Sequence, residues 1–524
     1  MPQPPNILLI LCDELRADAL SCAGNSPVCT PNIDRLATEG TRFSQCMVTQ
    51  PSCTPSRASI LSGCWPSTLG TRMVGCHTPD DPRFLPHVLH AAGWRTASLG
   101  KLHFVPQGAE PQALDAALHD QGHYYGFREV DLVNGHGDRC FGPRYTPWLE
   151  GQCTDWRQRL QRRRRLTPGI DCWSWELPEQ VHSSHYLGMR AGSFLAGARQ
   201  DERPFFLQVS FPDPHYPFMA PEPWASLHDR ANMPAPLPPL TEASGLPPLH
   251  EQVYFRREAG VRRADGSPAD RVIGIPPHDW SQFSLADWQQ VKALYYGMVA
   301  LIDHNVGRIL DALEASGLSD NTIVVFASDH GEHLGDHGLY GKGLPYDSAL
   351  RVPLIWRGAG IARGQHRQEV ASTLDIAPTL LDLAGIALPE GMQGHSMRAQ
   401  LAGAEDPLRD AVLTENDDDF VPMKMRVLTT SRWKLVHYMN GGPGELYDRV
   451  NDPAEMTNLW SEAEYAPLRA SLTARLLDEV ICSQEMRNGR RQSPAPPVPH
   501  WPRGPLLNET DRALVARPAF CLAG

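Results

Sequence analysis

The chain is expected to fold as an α/β protein around a large, mostly parallel sheet, and three observations predict this. Apolar runs of strand length recur, segments with helical spacing separate them, and charged residues stand directly after the strand candidates. Asn6-Ile-Leu-Leu-Ile-Leu-Cys12 is an unbroken apolar run followed by Asp13-Glu14, the pattern of a strand covered on both faces. In Thr30-Pro-Asn-Ile-Asp-Arg-Leu-Ala-Thr-Glu-Gly40, Thr30 is placed to cap a helix, Pro31 to take its first position and Gly40 to end it. Pro204 to Ser210 reads as a second buried strand and Thr322 to Ala327 as another. Between them Ala300 to Glu314 carries Leu301, Val306, Ile309, Leu310 and Leu313 at helical spacing.

Less regular stretches at about 105–200 and 220–285, the latter with Pro-Ala-Pro-Leu-Pro-Pro at 234–239, read as insertions that shape a substrate entrance. From Asp410 the texture changes to short β-rich pieces: Arg426-Val-Leu-Thr-Thr, Trp433-Lys-Leu-Val-His-Tyr438 and Glu445-Leu-Tyr-Asp448. Two units are therefore expected, 1–405 and 406–524. The proline-rich stretch from about Gln492 is expected to wrap the surface or reach a neighbouring subunit of a homo-oligomer. No internal repeat is visible.

The 524 residues are 41% hydrophobic and 21% charged, the composition of an ordinary globular chain. A formal charge of −12 argues against nucleic acid as a general partner, since an acidic surface repels phosphates. The exception is Arg162 to Arg165 within Trp156-Arg-Gln-Arg-Leu-Gln-Arg-Arg-Arg-Arg-Leu166, read as a solvated helix face or subunit contact. Twelve cysteines without paired spacing point to reduced thiols. Asn6 to Cys12 lacks a basic flank and runs into acidic residues, unlike a signal peptide. No apolar stretch approaches the roughly 20 residues of a membrane helix. A soluble, cytoplasmic protein with no membrane partner is expected.

Two motifs carry the chemistry. Pro51-Ser-Cys-Thr-Pro-Ser-Arg-Ala-Ser-Ile-Leu-Ser-Gly63 contains Cys53-x-Pro-x-Arg57, and Gly93-Trp-Arg-Thr-Ala-Ser-Leu-Gly-Lys-Leu-His103 follows it. In this order they resemble the two signatures of the sulfatase family. The resemblance is strongest over residues 6–104, near 205–218, and over 296–357. It implies an alkaline-phosphatase-like sandwich: a large mixed, mostly parallel sheet flanked by helices, with a small antiparallel C-terminal subdomain. It also implies that a formylglycine-generating enzyme oxidises Cys53, so that a hydrated aldehyde supplies a geminal diol in place of a thiol.

The resemblance further implies one divalent ion held by Asp13, Asp329, His330 and an oxygen of the modified Cys53, with Glu14 as a further ligand. Ser328-Asp-His-Gly-Glu-His-Leu-Gly-Asp-His337 supplies the later pair. Glu14 and His330 depart from the commonest family pattern, which has aspartate and asparagine there. An imidazole ligand suits Mn2+ or Zn2+ better than Ca2+, so the identity of the metal stays open among the three. His333 and His337 are spaced i,i+4 but not as His-Glu-x-x-His, and are left out of the metal site.

By the same resemblance Arg57 steadies the nucleophile, and Lys101, His103 and Lys342 of Gly341-Lys-Gly343 contact the sulfuryl or phosphoryl oxygens. His103 is also a candidate base for release of the anion. His215, in Phe211-Pro-Asp-Pro-His-Tyr-Pro-Phe218, serves the leaving group. The function implied is hydrolysis of small sulfate monoesters, as by arylsulfatases, with overlapping phosphonate monoester or phosphodiester activity. Two alternatives stand beside it: an enzyme chiefly for phosphonates and phosphodiesters, and a non-catalytic metal or anion binder in which Cys53 stays a thiol.

Overall fold

The computed structural model describes residues 3–240 and 283–484, apart from Ser26, Gln107, Gly169, 418–423 and 440–441. Eight strands form the main sheet: β1 (Asn6–Cys12), β2 (Thr41–Met47), β3 (Arg95–Gly100), β4 (Glu129–Leu132), β5 (Phe205–Phe211), β6 (Thr322–Ser328), β7 (Arg351–Arg357) and β8 (Gln365–Ser372). Their order is β4-β3-β5-β1-β6-β7-β2-β8. Only β7 runs against the rest, pairing antiparallel with β6 and β2. The other seven strands therefore end on one side, where open α/β sheets place their ligand sites.

Every residue of β1 is buried. Ile7, Leu9 and Leu11 enter one core while Leu8, Ile10 and Cys12 enter the other, so the strand has no solvent face and no polar alternation. Each Leu or Ile so buried contributes about 1.5–3 kcal/mol. Helices Cys53–Ser62, Leu85–Ala91 and Ile376–Leu383 cover the first face, and Pro31–Glu39, Ser183–Ala198 and Leu285–Ala315 the second. A smaller antiparallel sheet, β9 (Ala411–Asn416), β10 (Met425–Thr430), β11 (Trp433–Tyr438) and β12 (Glu445–Asp448), has order β12-β11-β10-β9 and packs on the helix Ala466–Cys482. No described helix is long and apolar enough to cross a membrane.

Several elements differ from the sequence reading for identifiable reasons. The helix expected from Ala300 begins at Leu285, because Val291 to Ile302 are buried all round and give no amphipathic period; Ser284 and Asp287 close a capping box at its start. The stretch 105–200 is not wholly an insertion, since β4 extends the main sheet and Ser183–Ala198 covers it. Most of the other expected insertion, 241–282, and the proline-rich tail lie outside the described residues. Arg162 to Arg165 follow a helix that stops at Gln161, so they do not line a helix face; Arg163 and Arg165 lie over the ring of Trp173. The eleven cysteines in the described residues are free thiols.

Thr30 stands at the N-cap position but makes no capping bond, because its hydroxyl is engaged with Ser21 at 2.7 Å. Asp303, from the long helix, caps instead: Asn32 N donates to its carboxylate at 3.0 Å and Ile33 N at 2.8 Å. Asp303→Ala should therefore lose about 1–3 kcal/mol of stability, whereas Asp303→Asn keeps an acceptor. Burial raises this carboxyl from 3.8 to about 6. Between those values the folded chain holds a proton the unfolded chain has lost, so the group's contribution to stability declines as pH rises through the window. Denaturant unfolding at either end of it should show that component in the wild type and not in Asp303→Asn.

Candidate active site

The site is built where the parallel strands end. The ladder carries on past them: Asp329 N donates to Cys12 O at 3.2 Å, Asp13 N to Asp213 O at 3.1 Å and Lys101 N to Ser210 O at 3.0 Å. Three functional segments are thereby fixed to one another by backbone alone. Cys53 opens the helix Cys53–Ser62, all ten residues of which are buried, and so lies at the positive end of its dipole. Ser56 ties this helix to the sheet by donating to Asp329 O at 2.6 Å.

Asp13, Cys53, Asp329 and His330 are all buried and present ligand atoms within 4.8 Å of one another. Cys53 Sγ is 3.2 Å from His330 Nε2 and 3.5 Å from Asp13 Oδ1, and His330 Nε2 is 3.6 Å from Asp329 Oδ1. His330 Nδ1 lies 3.0 Å from Gly331 O, which can only accept. Nδ1 therefore carries a proton and Nε2 is turned to the cluster, the orientation a metal-binding histidine needs.

Arg57 joins the two aspartates. Its Nε donates to Asp329 Oδ2 at 2.8 Å, its Nη1 to Ser210 Oγ at 2.7 Å and Lys101 O at 3.0 Å, and its Nη2 lies 3.6 Å from Asp13 Oδ2. The guanidinium thus orients both carboxylates, and its Nη2 makes no hydrogen bond of its own. Burial works to raise the pKa of Asp13, but Lys101 and Arg57 outweigh it and hold that carboxyl well below its usual range. Burial and Asp13 likewise raise the Cys53 thiol, yet Lys101, Lys342 and His330 bring it well below an ordinary thiol.

Lys101 Nζ pairs with Asp13 Oδ2. Lys342 Nζ is 2.8 Å from His215 Nε2 and 3.2 Å from Glu14 Oε1. His215 Nδ1 donates to Tyr216 O at 2.5 Å, and burial keeps the ring neutral by lowering its pKa well below the usual value. His103, buried at φ 63°, has an Nδ1 without a hydrogen-bond partner, and its backbone N–H donates to Glu110. Burial, then Lys101 and Arg57, push its pKa down as well.

Glu14 is where the structure departs from the expected ligand set. Its φ of 71° lets its N–H donate to Asp329 Oδ1 at 3.0 Å while its carbonyl accepts from Tyr295 at 2.8 Å. The side chain then points to Lys342 and to His215, 3.2 Å away, and stands outside the four-residue cluster. Burial raises its pKa well above the usual carboxylate value. His333 and His337 also lie elsewhere, bonded to Ser348 Oγ and Ala454 O at 2.7 Å each.

Sequence reasoning missed His136. It follows β4 in Asn134-Gly-His-Gly-Asp138, stacks on His215 with ring centroids 3.6 Å apart, and reaches Lys101 Nζ at 2.8 Å and Asp13 Oδ2 at 3.2 Å. Its signal was legible: a histidine between two glycines just beyond a strand. Gly135 at φ 76° and Gly137 at φ 53° permit the turn, and a Cβ on Gly135 would meet Arg139 O.

The Sulfatase family profile matches residues 5–386, and that for N-sulphoglucosamine sulphohydrolase, C-terminal, matches 335–481. The chain belongs to the sulfatase family. It is 30% identical over 476 residues to an arylsulfatase of Clostridium perfringens, covering 88% of this chain and 91% of that one. It is 29% identical over 505 residues to the multifunctional alkaline phosphatase superfamily protein PehA of Trinickia caryophylli, covering 88% and 92%. The structure of a phosphonate monoester hydrolase from Agrobacterium radiobacter superposes with a TM-score of 0.75 at 27% identity, over 92% of this chain and 96% of that one. The expected alkaline-phosphatase-like architecture is the one observed, and the chain is a sulfatase-family hydrolase.

In this sulfatase-family site His136 bears on Asp13, so its loss should resemble loss of a residue that orients a metal ligand. His136→Ala is expected to lower kcat/KM by roughly 10–100-fold and His136→Gln to restore part of it. Unchanged steady-state kinetics in His136→Ala would show that the contact is idle.

Proposed function

We propose that this chain hydrolyses sulfate monoesters of the arylsulfatase type, with overlapping action on phosphonate monoesters and phosphodiesters, using formylglycine made from Cys53. The observation that carries this reading is the convergence of Asp13, Cys53, Asp329 and His330 within a rim of Lys101, His103, His215 and Lys342. The donor set fits one divalent ion: two buried carboxylates, an imidazole with Nε2 turned inward, and residue 53, which would offer oxygen once modified. One nitrogen among so few protein oxygens favours Mn2+ or Zn2+ over Ca2+, which takes 6–8 oxygen ligands.

When bound, the ion supplies Lewis acidity that favours an ionised oxygen on residue 53 and offsets charge on the ester. The hydrated aldehyde would supply an oxygen nucleophile and a second hydroxyl, which spares a later attack by water on sulfur. Every other part of the work falls to side chains. Arg57 bridges Asp13 and Asp329 and favours the ionised form of each, although burial still raises the Asp329 carboxyl. Lys101 and Lys342 face the peripheral oxygens of the ester, where charge accumulates in the transition state. The Lys342–His215 pair holds the proton for the departing oxygen, since Lys342 donates to His215 Nε2. His103, neutral and with Nδ1 unengaged, is placed to accept a proton. Glu14 is assigned to Lys342 and His215 instead of the metal.

The charge balance supports the substrate class. Asp13, Glu14 and Asp329 face Arg57, Lys101 and Lys342, and even with all three carboxyls ionised a divalent ion would leave a positive surplus suited to an anionic ester group. Once ionised, Glu14 disfavours a dianionic phosphate monoester by like-charge repulsion, a form that burial defers to higher pH. Cys53→Ala and Asp329→Ala should each abolish hydrolysis of an aryl sulfate and of a phenyl phosphonate ester in parallel. Glu14→Gln should raise the ratio of phosphate-monoester to sulfate activity by about tenfold, the equivalent of about 1.4 kcal/mol. Retention of sulfate hydrolysis by Cys53→Ala would overturn the reading.

A further inference from the structure

A second group of metal-ligating side chains lies outside the catalytic cluster and shares no residue with it. Asp80, His87 and His123 present ligand atoms within 4.8 Å of one another. Asp80 precedes the helix Leu85–Ala91, His87 is on that helix, and His123 follows the helix Glu110–Gln121. His87 Nε2 is 2.7 Å from Asp80 Oδ1, His123 Nδ1 is 4.0 Å from Asp80 Oδ2, and the two imidazoles meet edge to face at 85° with centroids 4.9 Å apart. We propose that these three residues form a separate surface site for a borderline transition-metal cation such as Zn2+.

The separations bracket what such an ion requires, since metal–ligand bonds of about 2.0–2.2 Å in a tetrahedron place ligand atoms about 3.3 Å apart. Reaching that spacing means lengthening the Asp80–His87 approach by about 0.6 Å and shortening the Asp80–His123 one by about 0.7 Å, at side chains that are 24%, 18% and 35% exposed for His87, His123 and Asp80. Two contacts are given up, the 2.7 Å bond between His87 Nε2 and Asp80 Oδ1, whose ring proton the cation would replace, and the long 3.3 Å bond from Gly126 N to His123 Nδ1. The imidazoles are also held together by backbone. Gly126, at φ 82°, lies against His87 so closely that a Cβ there would come within 2.5 Å of His87 N. Burial and the neighbouring His87 lower the pKa of His123, which favours the neutral, metal-binding form. Three protein ligands in a shallow depression leave a fourth position to water.

The position gives the ion a structural consequence. Beneath it Phe84 stacks on Phe104 at 5.2 Å, and Tyr125 packs edge-on against both. Thr78 N donates to Phe104 O, and the Tyr125 hydroxyl to Thr78 O, at 2.7 Å each. Phe104 follows His103, so the metal would brace the loop that carries Lys101 and His103 from its outer side.

The test uses tag-free full-length protein dialysed to equilibrium against graded Zn2+, with bound zinc counted per chain and the thermal midpoint read in parallel. His87→Ala/His123→Ala should bind one zinc fewer than the wild type, because the catalytic site is common to both, and should lose the zinc-dependent part of the midpoint rise. Asp80→Asn should weaken the same class of sites by at least tenfold. His87→Gln keeps a hydrogen bond to Asp80 and serves if the double variant does not fold; it too should lose one zinc. Equal zinc content and equal midpoint shifts in the wild type and the folded variants would overturn the proposal.

Discussion

Asp13 and Asp329 are wholly buried at the ends of adjacent strands, and the rest of the site depends on making that arrangement tolerable. Two like charges about 4 Å apart repel by about 4 kcal/mol at the effective dielectric of a protein, before either is desolvated. Arg57 answers with a direct bond to Asp329 and a longer approach to Asp13, and Lys101 pairs with Asp13 from the other side. The guanidinium is itself buried and anchored to Ser210 and the Lys101 carbonyl, so it cannot turn away. Positive charge is thus built in, and a divalent ion would complete it. That requirement accounts for a motif in which an arginine follows a cysteine by one helical turn.

Much of this was legible in sequence where burial is continuous. Asn6–Cys12, Trp433–Tyr438 and Glu445–Asp448 have the bounds expected from their residues, the first because its apolar run ends where the strand ends and the other two because turn-forming residues flank them. Asp13, Asp329 and His330 follow strands directly, and a parallel sheet brings such positions to one edge without tertiary detail. Cys53 and Arg57 were found through a local pattern. The helix from Leu285 was half hidden for the opposite reason: a segment buried all round has no polar face to mark its period.

What escaped the sequence depends on contacts distant along the chain. Glu14 looks like a ligand because it follows Asp13, yet its left-handed backbone, fixed by Tyr295 and Asp329, turns the carboxylate to Lys342 and His215. His136 stands between glycines just beyond a strand, which marks a candidate, but the stacking on His215, 79 residues further on, that brings it to the cluster is a relation no local spacing encodes. Asp303 caps a helix 271 residues earlier while the threonine at that helix's own start is occupied elsewhere. In each case local chemistry suggested a role and a partner from another strand or helix reassigned it.

We propose that residue 53 works as an oxygen nucleophile made from cysteine, in a pocket whose cations already depress the thiol's pKa. Mass spectrometry of the peptide spanning Pro51 to Arg57, from protein produced in its native host, tests this most directly. An aldehyde at residue 53, with the sulfur lost, is expected. An intact thiol there would contradict it and favour a protein that binds metal or anions without turning them over.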